Sequence, residues 1–154
     1  MQHKLPIGEY SMLAIIGLES DKIEEICNNL QEKGMFIVPA NYNYSNQTVV
    51  SGDKETIELA SNVFKENGAK KVIILKTSGP FHTKALEDAK KEYIKDLEKV
   101  QFEKSTTKVI KNIDGKFYNE LDNMVEILSN HIVSPVRFDK AIKLMEEEKV
   151  DTFV

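Results

Sequence analysis

Three features of the 154-residue sequence predict an α/β protein that carries an α+β unit. Short apolar runs and helix-period segments alternate through residues 10–77 in the order βαββαβ. Gly34 and Gly68 close the two helix-period segments of that stretch. Residues 78–154 read instead as three amphipathic helices with one or two short strands. The βαββαβ order is that of the split βαβ, or ferredoxin-like, motif, in which four strands carry two helices on one face. The predicted division is a ferredoxin-like subdomain at 10–77, followed at 78–154 by part of an α/β layer whose central sheet is not among these residues.

Each element has its own signal. Met12 to Ile16 is a short apolar run closed by Gly17. Asp21 and Glu24 then form a capping-box signature for a helix. Ile23, Ile26, Cys27 and Leu30 recur at i, i+3, i+4 and i+7, so they form its inward face. Met35–Val38 and Thr48–Ser51 read as two strands joined by a polar loop, "ANYNYSNQ". Asp53 is placed to cap a second helix that turns Ile57, Ala60 and Phe64 inward, and Lys71–Lys76 is the fourth strand. Ser78, Gly79 and Pro80 stop that strand, and a helical stripe of Leu86, Ala89, Tyr93, Leu97 and Val100 begins after His82. A short strand at Lys108–Asn112 leads to the Asp114-Gly115 turn. Leu121, Met124, Val125 and Leu128 mark the next helix. Pro135 interrupts, and Phe138, Ala141, Ile142 and Met145 mark the last one.

Bulk properties exclude several function classes. A chain of this length buries about 68–70% of its unfolded surface, enough for a real core. A net charge of −4 gives no electrostatic reason to expect nucleic acid or an anionic membrane as a partner. No apolar run approaches the roughly 20 residues of a membrane span. The single cysteine excludes an internal disulfide and fits a reducing cytoplasm. His3, His131 and Cys27 lack metal-ligand spacing, so no metal or cofactor site is expected. Cys27 lies on a core face and reads as a structural thiol. The lysines and acidic residues after His82, spaced as Lys84–Asp88 and Glu87–Lys91, read as a solvated helix face. The closing run "KVDTFV" resembles a strand just beginning, so the sequence is expected to be a piece of a longer chain.

His82 is the leading candidate for chemistry. It follows a Ser-Gly-Pro turn at the carboxyl end of a strand, where α/β proteins bind ligands. An imidazole there has the proton affinity of a general base near neutral pH. The alternative is a helix-start residue bonded to a backbone group, and the residues alone leave both open. Asn41, Asn43, Asn46 and Gln47 gather in the polar loop either to orient an acyl or pantetheine group or as ordinary turn chemistry. None of the nine serines lies in a G-x-S-x-G elbow, and no glycine-rich phosphate loop is present.

Five segments carry a resemblance along nearly the whole chain: "MLAIIGL" near the start, "VPANYNYSNQTVVSG" at 38–52, "NGAKKVIILKTSGPFH" at 67–82, "SPVRF" at 134–138 and "VDTFV" at 150–154. In this order and spacing the chain resembles the middle-to-late portion of the malonyl-CoA:acyl carrier protein transacylases. The resemblance implies an α/β-hydrolase-like subdomain with a ferredoxin-like insert, so that 78–154 would be the C-terminal part of the former. It implies malonyl transfer from CoA to the phosphopantetheine thiol of acyl carrier protein in fatty acid biosynthesis. His82 would be the general base, and Phe81 beside it suggests malonyl over methylmalonyl. Asn41, Asn43 and Gln47 fall on the family's pocket loop. His131 stands where many members have a glutamine whose backbone carbonyl orients the histidine. The family's serine elbow is not among these residues, so the chain alone is expected to be inactive. A free-standing ferredoxin-like small-molecule-binding or dimerisation module is the alternative. A further alternative is that an upstream segment associates in trans and rebuilds the active site, and the exposed sheet edge expected of a truncated chain would favour such pairing or self-association.

Overall fold

A computed structural model describes residues 9–77 and 79–153. His3 and Ser78, part of the expected turn, lie outside the described residues, as does Val154, the last residue of the expected closing strand. The elements run β1 (Tyr10–Ile16), α1 (Ser20–Gln31), β2 (Ile37–Tyr44), β3 (Gln47–Asp53), α2 (Lys54–Glu66) and β4 (Lys71–Leu75). There follow α3 (Glu87–Leu97), α4 (Met124–Val133), a two-residue β5 (Val136–Arg137) and α5 (Phe138–Glu147). The sheet order is β4-β1-β3-β2-β5. Its first four strands are antiparallel, as a βαββαβ chain requires, while β5 adds to β2 in parallel.

Strand alternation explains the two faces of this sheet. Leu13, Ile15, Ile37 and Val50 point to one side, where Ile23, Ile26, Cys27 and Leu30 of α1 and Ile57, Ala60 and Phe64 of α2 cover them. On the other side Met12, Ala14, Ala40 and Val49 form a smaller cluster, against which Leu75 and Phe81 pack. Gly34 and Gly68 end their helices in the left-handed region, at φ 81° and 97°, as the punctuation of the sequence requires.

Several boundaries differ from expectation, each for a local reason. Glu19, not Asp21, takes the N-cap position of α1; it makes no side-chain capping bond, and Asp21 sits within the first turn. Asp53 does occupy the N-cap of α2, but its side chain makes no capping bond either. The "ANYNYSNQ" stretch is not a loop. Asn41–Tyr44 continue β2, and the turn is confined to Ser45 and Asn46. Register shifts around Pro39 and Tyr42 let the proline-containing strand stay in the sheet.

The long helix expected after His82 starts as one 3₁₀ turn (Lys84–Leu86) and ends at Leu97, so Val100 lies outside it, half exposed. The ion pairs on its face are spaced i, i+3 rather than i, i+4: Lys90–Glu87, Lys91–Asp88 and Lys95–Glu92. The expected strand at 108–112 is a single bridge between Ile110 and Phe117. Buried Lys111, held 3.0 Å from Asp122, fixes the turn there instead. Leu121 precedes α4 and is 95% exposed. Asp151–Phe153 form no strand.

The second half is pinned to the first by a polar chain. The Tyr42 hydroxyl of β2 donates to Glu24 of α1 at 2.6 Å. The Arg137 guanidinium lies 4.3 Å over the Tyr42 ring. Arg137 in turn makes a forked pair with Asp139, at 3.0 and 2.6 Å. Planar guanidinium suits both contacts at once, and lysine would not.

Candidate active site

β4 delivers the chain to a tight corner. Phe81 is the apolar anchor of that corner: it packs on the sheet cluster of Met12, Ala14, Ala40 and Val49 and also on Leu86, Ala89 and Ile132. Thr83, almost fully buried, closes the loop. Its hydroxyl donates to the Pro80 carbonyl at 2.7 Å and accepts from the Ala85 N–H at 3.3 Å, so it caps the 3₁₀ turn. Between these anchors His82 sits in the left-handed region, at φ 60°. Such a conformation is uncommon for a residue with a side chain and costs about 1–2 kcal/mol, so the surrounding contacts must enforce it.

The His82 ring is held by α4. Its Nδ1 lies 3.1 Å from the backbone carbonyl oxygen of His131. A carbonyl can only accept, so Nδ1 carries the hydrogen in the neutral ring and Nε2 keeps its lone pair. That is the tautomer of a general base acting through Nε2. The His131 ring is tilted 38° to the His82 ring, with centroids 5.2 Å apart. Burial first, and then the charge of His82, hold His131 below the ordinary imidazole range.

The other candidates are spread more widely. Asn41 pairs with Val49 and Val136, in the strand register that Phe81 covers from the Val49 side. Asn43 lies in the register shift between Tyr42 and Tyr44. Gln47 pairs with Ile16 at the hairpin end, four residues along β1 from Met12, where β4 leaves the sheet. At about 3.4 Å per residue that separation is roughly 14 Å. The structure thus brings Phe81, His82 and His131 together and sets Gln47 at the far end. Cys27 is buried in the main core, where burial, and after it the charge of Glu24, push its thiol up to about 12. Among the described residues no cluster of three or more metal-ligating side chains occurs.

Two contributors to the site escaped the sequence reading. Thr83 carries an ordinary N-cap signal, a threonine before a helical stripe. The Glu24–Tyr42–Arg137–Asp139 chain, which holds β5 against the sheet, is assembled from three distant segments, α1, β2 and the β5–α5 junction, and leaves no spacing to read.

No protein-family model matches the chain. It is 34% identical, over all of its 154 residues, to a malonyl CoA-acyl carrier protein transacylase of Bacillus subtilis, of which it covers 49%. It superposes on the crystal structure of a malonyl CoA-acyl carrier protein transacylase from Clostridium perfringens with a TM-score of 0.90 and 33% identity, covering 99% of this chain and 48% of that one. A complex of a type II PKS acyl-carrier protein with its malonyl-transacylase matches at a TM-score of 0.88 and 29% identity, covering 97% of this chain and 48% of that one. The chain spans about half the length of the curated relatives it matches. Along its full length the chain is homologous to malonyl CoA-acyl carrier protein transacylases and shares the α+β fold of their solved structures, as a piece of a protein of that family would.

Proposed function

We propose that this chain supplies the general base of a malonyl transfer from CoA to acyl carrier protein, in fatty acid biosynthesis in the cytoplasm. The observation that carries the reading is the His82–His131 carbonyl contact, which leaves Nε2 free at a corner held in an uncommon backbone conformation. The names of the relatives support the chemistry, and the acyl-carrier-protein complex among the similar structures supports the partner. In this reading Nε2 of His82 takes the proton of a serine hydroxyl as the oxygen attacks the malonyl thioester. It gives that proton to the departing CoA thiolate. It then takes the proton of the incoming phosphopantetheine thiol and returns it to the serine oxygen, so protons balance over the cycle.

Residues 10–77 act as the ferredoxin-like subdomain and 78–154 as part of an α/β-hydrolase-like one, with His82 at their seam. Phe81 limits the acyl pocket toward malonyl. Asn41 is the amide closest in register to that pocket, while Asn43 and Gln47, further toward the hairpin, would meet the pantetheine arm. The open edge of β4 is where self-association, or the remainder of the enzyme, would pair. The free-standing binding-module alternative is not favoured, because transacylase relatives match this chain from end to end.

The test is the intact mass of the chain after incubation with malonyl-CoA. With no G-x-S-x-G serine among its 154 residues, it is expected to gain no malonyl group. A stoichiometric adduct would place the nucleophile within this chain and overturn the assignment.

A further inference from the structure

His131 meets His82 with two groups, its carbonyl and its ring. The carbonyl needs no particular side chain, so the ring calls for its own account. Its Nε2 is buried and has no hydrogen-bond partner among the described residues. A buried, unpartnered imidazole nitrogen is tolerable while the ring is neutral and much costlier once it is charged. The titratable groups on the elements packed against α4 do not relieve that cost. Lys90 pairs with Glu87, Lys91 with Asp88 and Lys95 with Glu92, while Lys84 is exposed. Among the described residues the charge acting on the His131 ring is that of His82.

We propose that the His131 side chain, and not only its carbonyl, is a positioning residue for His82: it holds the base ring with Nδ1–H on the carbonyl and confines the pair to one proton. When His82 holds the proton taken from a nucleophile, the adjacent ring, 5.2 Å away with its Nε2 buried and unpartnered among the described residues, is disfavoured from taking a second. The proton therefore remains on the ring that must return it. This inference rests on the reading of His82 as the general base.

The test is the titration and tautomer state of the side chains of the ¹⁵N-histidine-labelled full chain, read by long-range ¹⁵N–¹H NMR without any acyl compound. Signals are assigned by single replacement. Neutral His82 is expected to be predominantly Nδ1–H. His131→Ala, which keeps the carbonyl, is expected to reduce that preference several-fold, and His131→Gln to restore it through bulk and shape. His82→Gln is expected to raise the His131 midpoint, because it removes the charge of the neighbouring ring while the burial of His131 stays. An unchanged tautomer ratio in His131→Ala, or an unmoved His131 midpoint in His82→Gln, would overturn the proposal. The His82→Gln arm decides alone if His131→Ala does not fold. Because no acyl transfer is measured, failure here is distinct from failure of the malonyl-transfer reading.

Discussion

The two halves of the molecule are held together in different ways. Residues 9–77 close eleven buried side chains between two helices and one sheet face. Residues 79–153 rest on a cluster of three buried side chains, Leu86, Ala89 and Ile132, supplemented by Phe81, Val133 and polar pins such as Lys111–Asp122 and Arg137–Asp139. The first arrangement gathers residues of two helices and three strands into one contiguous cluster, so it is expected to unfold as a unit. The second is a set of local anchors. His82 lies where they meet, and its left-handed backbone is enforced from both sides, by Phe81 against the sheet and by the His131 carbonyl on α4. Strain at a site persists where the surroundings over-determine it, and this seam does so.

The largest expected effect breaks the first half. Phe64 is fully buried at the centre of the main core, so Phe64→Ala should cost about 3–5 kcal/mol and shift the urea midpoint of the whole transition. Leu86→Ala should cost about 2–3 kcal/mol, but in the second half. Its hydrogen exchange should rise across α3 and α4 while β1 and β3 remain protected. Equal loss of protection in both halves would show one cooperative unit and erase the contrast. Tyr42→Phe should cost about 1 kcal/mol by removing the 2.6 Å bond to Glu24, and should loosen β5 more than β3 by the same exchange measurement.

The smallest effect is on pH dependence. The His131 proton affinity is lowered on folding, so the unfolded chain binds the proton more tightly. Stability is therefore fully present above the ordinary imidazole value and declines as pH falls below about 6.5. Protection of α3 and α4 should decrease between pH 7 and pH 5, before the carboxylates are extensively protonated. His131→Gln should flatten that decline, and an unchanged slope would remove His131 as its source.

The same contrast governs what was legible in the sequence. In the first half, period-2 and period-3.6 patterns coincide with burial, so the βαββαβ order and the inward faces of α1 and α2 could be read directly. The asparagine-rich stretch misled because asparagine favours turns in isolation, whereas here register shifts keep Asn41 and Asn43 within β2. In the second half the pattern overran the structure. Val100 and Leu121 continue helical stripes on paper but lie outside the helices, since a stripe does not form a helix without a surface to pack against. His82 could be singled out from the strand-to-helix corner. Its carbonyl partner could not, because 49 residues separate it from His131 and the residue supplying a carbonyl leaves no mark in its side chain. Only the family resemblance pointed to it.

The central claim is that His82 of this chain is the base that malonyl transfer requires. The most direct measurement is a chimera in which this chain replaces the matching half of the Bacillus subtilis relative, assayed for malonyl transfer to acyl carrier protein with and without His82→Ala. The account expects the chimera to transfer malonyl, and expects the replacement to slow it by about 10²–10⁴-fold, the ordinary contribution of a positioned general base. A folded, active chimera whose rate is unchanged by His82→Ala would contradict it.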